Sequence, residues 1–351
     1  MPQSEFEIIR RYFAESGLGF TKPGVEIGIG DDAALLQIPE GKLLAVSMDV
    51  LVESVHFPPL ADAALIANRA LAVNLSDLAA MAAQPFCFTL GLVMPAEDEN
   101  WLAEFSRGLL PLAEKYNCPL VGGDITRGPL SICIQVQGLC TKGEAALRSG
   151  AKAGDRIYVS GTLGDGAIAL ASLGLESHLG KQFKLLDEKL SANCAQFFED
   201  AYYKPEPRID LASNCAELVS SSIDISDGLL GDLGHLLESG EIAALLHVNK
   251  IPFSKSALCC MSDQNRLLAA LHGGDDYELC CTVPAHLCEQ FEQQANEANT
   301  QVTYIGEIVP GSGIRCIDES GKLLNLEFMD STSYQHFSAA PPVDLQAKDS
   351  S

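Results

Sequence analysis

Short apolar runs that end in corners rich in glycine and aspartate recur along the chain, and they constrain it most. They read Gly30-Asp31-Asp32, Gly122-Gly123-Asp124, Asp224-Ile225-Ser226-Asp227-Gly228 and Gly273-Gly274-Asp275-Asp276; Met48-Asp49 ends a further run without a glycine. Glycine lets the backbone turn sharply or approach a ligand, and aspartate supplies hard oxygen donors. Ordinary turn chemistry accounts for the glycines. It does not account for paired carboxylates at strand ends, which repel one another unless a cation or a proton sits between them.

Between the corners, strand-length and helix-length patterns alternate, the signature of an α/β fold. Phe6, Ile9 and Phe13 have helical spacing, and an Ala-rich helix is expected over 61–83 and another over 101–116. Leu43–Met48, Phe86–Val93 and Pro119–Val121 read as strands. Ser131–Cys140 alternates apolar and polar as a half-buried strand does. A polar, Gly-rich stretch, Arg148-Ser-Gly-Ala-Lys-Ala-Gly-Asp155, marks a boundary, after which strands at 157–160, 222–224 and 277–283, a helix at 229–237 and a hairpin at 314–328 follow. At 351 residues the chain has the length of about two domains. The expected division is 1–147, 148–338 and a loose Pro- and Ser-rich tail over 339–351.

Charge narrows the partners. Asp and Glu number 47 against 23 Lys and Arg, a net charge of −24. Such a field repels nucleic acid and anionic membranes. No stretch reaches the apolar length of a membrane span, and the charged N-terminus has no apolar core of a secretory signal, so a cytoplasmic protein is expected. The twelve cysteines include no Cys-x-x-Cys, and the doublets Cys259-Cys260 and Cys280-Cys281 lie in apolar runs as small hydrophobes.

Familiar phosphate motifs fail. Gly28-Ile-Gly30-Asp31-Asp32-Ala33 matches the dinucleotide fingerprint in letters, but Pro39 and Gly41 leave no room for its helix. Each Gly-Lys pair lacks the Ser or Thr of a Walker loop, and Asp224–Gly228 does not close as an EF-hand. Asp77 shares a helix face with Ala67, Ala70, Asn74 and Met81, a costly place for a carboxylate if that face is buried and unpaired. One solution fits all of this. Two phosphate-bearing substrates meet in an acidic cleft where Mg²⁺ ions bridge carboxylate to phosphate, with Arg127 and Arg148 available for direct phosphate contact.

Six motifs in order, Gly28–Ala34, Asn74–Met81, Gly122–Pro129, Arg148–Asp155, Asp224–Gly228 and Gly273–Leu279, make the chain resemble the thiamine-monophosphate kinase family of the aminoimidazole-ribonucleotide synthetase-like superfamily. The resemblance implies ATP-dependent phosphorylation of thiamine monophosphate to thiamine diphosphate by direct in-line transfer. It implies a homodimer whose N-terminal sheets join into a shared barrel beside C-terminal α/β domains. By motif, Asp32, Ser47, Asp49, Asp77, Asp124, Asp224 and Asp227 correspond to Mg²⁺ ligands. Gly123, Asp124, Arg148 and Ser226 correspond to ATP contacts, and His56, Asp275 and Tyr334 to contacts of the thiamine phosphate. Three positions depart from the family pattern: Met48 replaces Thr, Asp275 replaces Glu, and Glu53-Ser54-Val55 replaces a Gly-containing approach to His56. Competing readings are another ATP user of the superfamily, selenophosphate synthetase-like or amidine-forming ligase-like, and a non-catalytic Ca²⁺- or nucleotide-binding protein. The absence of any cysteine before Cys87 argues against the selenophosphate synthetase-like one.

Overall fold

The computed structural model describes residues 5–175, 179, 183–186, 190–238 and 240–324. A short helix α1 (Glu5–Ile9) runs into a π-helical turn over Arg10–Ala14, and β1 (Val25–Ile27) pairs with β2 (Leu35–Leu36). Then come β3 (Lys42–Val52), α2 (Ala63–Ala80), β4 (Gln84–Met94), α3 (Glu99–Lys115), β5 (Leu120–Arg127) and β6 (Ser131–Thr141). The later part is built from β7 (Arg156–Ser160), α4 (Asp165–Ser172), α5 (Ala192–Tyr203), α6 (Ile209–Cys215), β8 (Ser221–Ile225), α7 (Leu229–Leu237) and β9 (Ile242–His247). It ends with α8 (Lys255–Cys260), α9 (Asp263–His272), β10 (Glu278–Val283), α10 (Cys288–Glu297), β11 (Val302–Pro310) and β12 (Ile314–Ile317).

Two sheets carry the architecture, one of order β3-β6-β4-β5 and one of order β12-β9-β11-β7-β10-β8. Strands alternate with helices, yet most neighbours are antiparallel; β4 with β5 and β9 with β12 are the parallel pairs. Ser131–Thr141 alternates as its sequence dictates: Ile132, Ile134 and Val136 are fully buried, and the strand pairs with β3 from Ser131↔Val52 to Thr141↔Lys42.

The helix α2 is the spine. Asp62 caps it, its carboxylate accepting from Ala64 N (2.9 Å) and Leu65 N (3.1 Å), which satisfies two otherwise unpaired amides of the first turn. Small side chains such as Ala67, Ala70 and Ala79 let neighbours approach on every side. It packs on α3, β3, β4 and β6 in one direction and on α5, α6, β8 and β10 in the other, so one hydrophobic core crosses from sheet to sheet. The amphipathic α3, capped by Asp98, buries Leu102, Phe105 and Leu109 against it.

Candidate functional site

Strand β3 runs through Asp49 to Val52 and does not stop at Met48, because Val50-Leu51-Val52 continues the ladder with β6. Alternation then sorts its side chains. Ser47 faces α2, donating from Oγ to Asp77 Oδ2 (2.5 Å), while the Asp49 amide donates to Asn74 Oδ1 (3.0 Å). Met48, 56% exposed, lies on the opposite face, so its departure from Thr places no side chain among these carboxylates. The helix face of Ala67, Ala70 and Asn74 is fully buried, and Asn74 Nδ2 is tied back to Ala70 O (2.8 Å). Asp77, one turn further along, is half-buried where that face opens.

One residue earlier, Ser76 donates to Asp224 Oδ2 (2.8 Å) on β8, so α2 presents Asp77 towards one sheet and holds Asp224 of the other. The three carboxyls feel one another. Burial, then the charge of Asp77, pushes Asp224 up to about 8, against the Ser76 hydrogen bond. Burial, then Asp77, pushes Asp49 up to about 6, with Arg69 opposing. Burial raises Asp77 as well, eased by the Ser47 hydroxyl and by Arg148. These are carboxyls short of positive charge.

The corner after β8 packs on the corner before β10. Asp232 accepts from the amides of Ser226 and Asp227 (3.0 Å each), and burial pushes its carboxyl up to about 6. The Asp275 amide donates to Ser226 O (2.9 Å), and a Cβ on Gly274 would stand 2.1 Å from that same oxygen, so only glycine allows the approach. The neighbouring carboxylates of these corners meet different protein partners. Asp276 accepts from Gly164 N (2.7 Å) and Gly166 N (3.0 Å) at the start of α4, and Asp31 accepts from the Asp32 amide (2.8 Å) in a local turn.

A second acidic area lies along β5. Gly122-Gly123-Asp124 sits inside this edge strand, not beyond its end. With Asp32, Gly123 and Asp124 line a cleft of about 530 Å³, whose apolar wall is Phe6, Ile9 and Phe13. Arg127 is turned elsewhere, its Nε donating to Pro95 O (3.2 Å) beside a separate recess. Arg148 is exposed and acts on Asp77.

His56 Nδ1 accepts from the Val52 amide (3.0 Å), and Ser54 before it takes a left-handed φ of 67°, a conformation glycine adopts at less cost. Asp275 is bound by Arg69, and Tyr202 OH donates to His56 O. Tyr334 falls outside the described residues, as do the 339–351 tail and most of the second arm of the expected hairpin. Among the described residues no three His, Cys, Asp or Glu side chains stand as a ready cation cage. The expected ligands fall into a β3–α2–β8 group (Ser47, Asp49, Asp77, Asp224), a cleft pair (Asp32, Asp124) and the corner residue Asp227. Sequence spacing missed Arg69, Ser76, Tyr202 and Asp232. Arg69 had a signal, as the one cation in the Ala-rich stretch 63–80.

Two family models match the chain, "AIR synthase related protein, N-terminal domain" over residues 30–140 and "AIR synthase related protein, C-terminal domain" over 152–319. Fold and site thus define an AIR synthase related protein carrying both parts. A thiamine-monophosphate kinase of Haemophilus influenzae is 39% identical over 343 residues, covering 96% of this chain and 99% of its own. The crystal structure of thiamine-monophosphate kinase from Stenotrophomonas maltophilia K279a is 36% identical with a TM-score of 0.79, covering 90% of this chain and 97% of that one. The structure of AaThiL complexed with AMPPCP and TMP is 27% identical with a TM-score of 0.71, covering 86% and 89%. The chain belongs to the thiamine-monophosphate kinase family.

Proposed function

We propose that this chain transfers the γ-phosphoryl group of ATP to the phosphate of thiamine monophosphate, releasing ADP and thiamine diphosphate. An acceptor phosphate oxygen attacks the γ-phosphorus while the bond to the β–γ bridging oxygen breaks. The attacking phosphate oxygen is already anionic at neutral pH, so no side chain is required as a strong base, and positioning with charge neutralisation carries the catalysis. The observation that carries this reading is the set Asp49, Asp77 and Asp224. Asp224 is buried and the other two are half-buried; their charges repel, Ser47 and Ser76 donate to Asp77 and Asp224, and Asp49 is placed by its backbone amide on Asn74 Oδ1.

Hard oxygen donors starved of positive charge fit Mg²⁺. In this reading Asp32, Ser47, Asp49, Asp77, Asp124, Asp224 and Asp227 would hold it. Bound Mg²⁺ would offset the charge on the transferring phosphates. Gly123, Asp124, Arg148 and Ser226 would contact the nucleotide, the first two from the cleft walled by Phe6, Ile9 and Phe13. His56, Asp275 and Tyr334 would contact the thiamine phosphate. The reading includes a division at 147/148 and a homodimer built on β3, where Leu44, Val46, Met48 and Val50 form an exposed apolar row that a second sheet would cover. Among the described residues no helix is long and apolar enough to cross a membrane, and all twelve cysteines are free thiols, which fits a reducing cytoplasm.

ADP release tests it. Release on adding thiamine monophosphate, lost in excess chelator and restored by Mg²⁺, is the expected result. Release indifferent to thiamine monophosphate, or undiminished in chelator, overturns the reading.

A further inference from the structure

We propose that Arg69 is a positioning residue for the thiamine monophosphate side of the site, one buried cation that sets both Asp275 and the loop of His56. The inference rests on the kinase reading above and deepens it.

Arg69 is 2% exposed, and a guanidinium taken so far out of water is costly unless well engaged. Its Nη1 donates to Tyr202 O (2.7 Å) and its Nη2 to Asp275 Oδ1. Its Cζ lies 3.9 Å from the Tyr202 ring centroid and 5.5 Å from that of Tyr277. Nε is buried with no acceptor among the described residues, so the head group is oriented from its terminal nitrogens and the rings. Both things it reaches lead to expected substrate contacts. Asp275 and Tyr277 hold left-handed backbone, φ 68° and 52°, which non-glycine residues keep only when their surroundings enforce it. Their amides are fixed to Ser226 O (2.9 Å) and Ile225 O (2.8 Å), and Tyr277 OH donates to Asp275 Oδ1 (3.3 Å). Tyr202, the other partner, donates its hydroxyl to His56 O, while His56 Nδ1 is pinned by the Val52 amide. Segments 206 residues apart are thereby registered through a single head group.

A lysine keeps the charge but is a point donor without the flat fork, so it cannot serve Asp275, Tyr202 O and both rings together. Tyr202→Phe leaves the backbone acceptor of Arg69 untouched and removes only the bond to His56 O. The experiment measures KM for thiamine monophosphate, KM for ATP, kcat and the melting temperature of wild type, Arg69→Lys and Tyr202→Phe at saturating Mg²⁺. For Arg69→Lys the KM for thiamine monophosphate is expected to rise about tenfold or more, with the KM for ATP within about twofold. Tyr202→Phe is expected to raise the same KM by a smaller factor. A folded Arg69→Lys with unmoved KM values, or with both KM values raised equally, overturns the inference. Should Arg69→Lys not fold, an unchanged KM in Tyr202→Phe overturns it. A wild type inert towards thiamine monophosphate overturns the kinase reading and this inference with it, whereas an active wild type beside an unmoved Arg69→Lys overturns this inference alone.

Discussion

Replacing Asp224 by Asn in metal-free protein should make it more stable while destroying its activity. The Asp224 carboxyl sits at about 8, raised from 3.8 chiefly by burial and by Asp77. The folded state therefore keeps this proton to higher pH than the unfolded chain does, and stability falls as pH rises from about 4 to about 8. Across that window the loss approaches about 5 kcal/mol, at about 1.4 kcal/mol for each tenfold change in proton affinity. An amide escapes the charge and still accepts the Ser76 hydrogen bond, but it remains a buried polar group, and in wild type Asp49 and Asp77 can take up protons as Asp224 ionises, which lowers the penalty. Halving the figure for these leaves about 2 kcal/mol at pH 8, or about 4 °C in melting temperature. The assay is a set of thermal melts of wild type and Asp224→Asn in excess chelator from pH 5 to pH 8, with turnover measured in parallel. The advantage of the variant at pH 5 should be well below that at pH 8, since most of the wild-type penalty has not yet developed. A gap that does not change with pH, or a variant that melts below wild type at pH 8, would refute the argument that this carboxyl is held against its own repulsion.

Asp77→Asn and Asp124→Asn should each abolish turnover with unchanged circular dichroism; near-normal activity of either at saturating Mg²⁺ removes that residue from the proposed ligand set. Gly274→Ala forces a Cβ to within 2.1 Å of Ser226 O and should cost about 3 kcal/mol in denaturant unfolding, with the backbone of both corners displaced. A loss below about 0.5 kcal/mol would show that the corners do not pack so closely. Val46→Glu puts a charge into the exposed row of β3 and, on the proposed homodimer, should shift sedimentation to the monomer; a dimer that survives it uses another surface, and a monomeric wild type removes the proposed dimer.

What the sequence makes legible is local periodicity. The helix of 63–80, the alternating strand of 131–141 and the helix of 229–237 stand close to where spacing puts them, because each has one face whose burial is written in consecutive residues. Strand ends were harder. Asp49 and Gly122-Gly123-Asp124 read as corners from composition, but pairing with β6 and β4 carries the strands through them. Helix α5 buries only Phe198, Tyr202 and Tyr203 of its twelve residues, too sparse a stripe to stand out. The cysteine doublets split. Cys280 and Cys281 are buried as expected, whereas Cys259 is exposed, since neighbours on a helix point apart.

In the candidate site, residue types were readable and partnerships were not. Glycine and aspartate mark the corners from composition alone. Nothing in spacing says that Asp276 caps a helix, that Asp232 receives the Ser226 and Asp227 amides, or that Arg69 meets Asp275. Those depend on contacts made across the chain after it has folded.

The spine helix has a consequence for biosynthesis. During translation, Ala63–Ala80 leaves the ribosome well before α6 and β8 exist, and the faces they will cover stay bare in the meantime. At about 5–20 residues per second the wait lasts on the order of ten seconds, long compared with hydrophobic collapse. The early portion of the nascent polypeptide is thus born sticky, and chaperones that shield apolar helices should matter most for it in that interval.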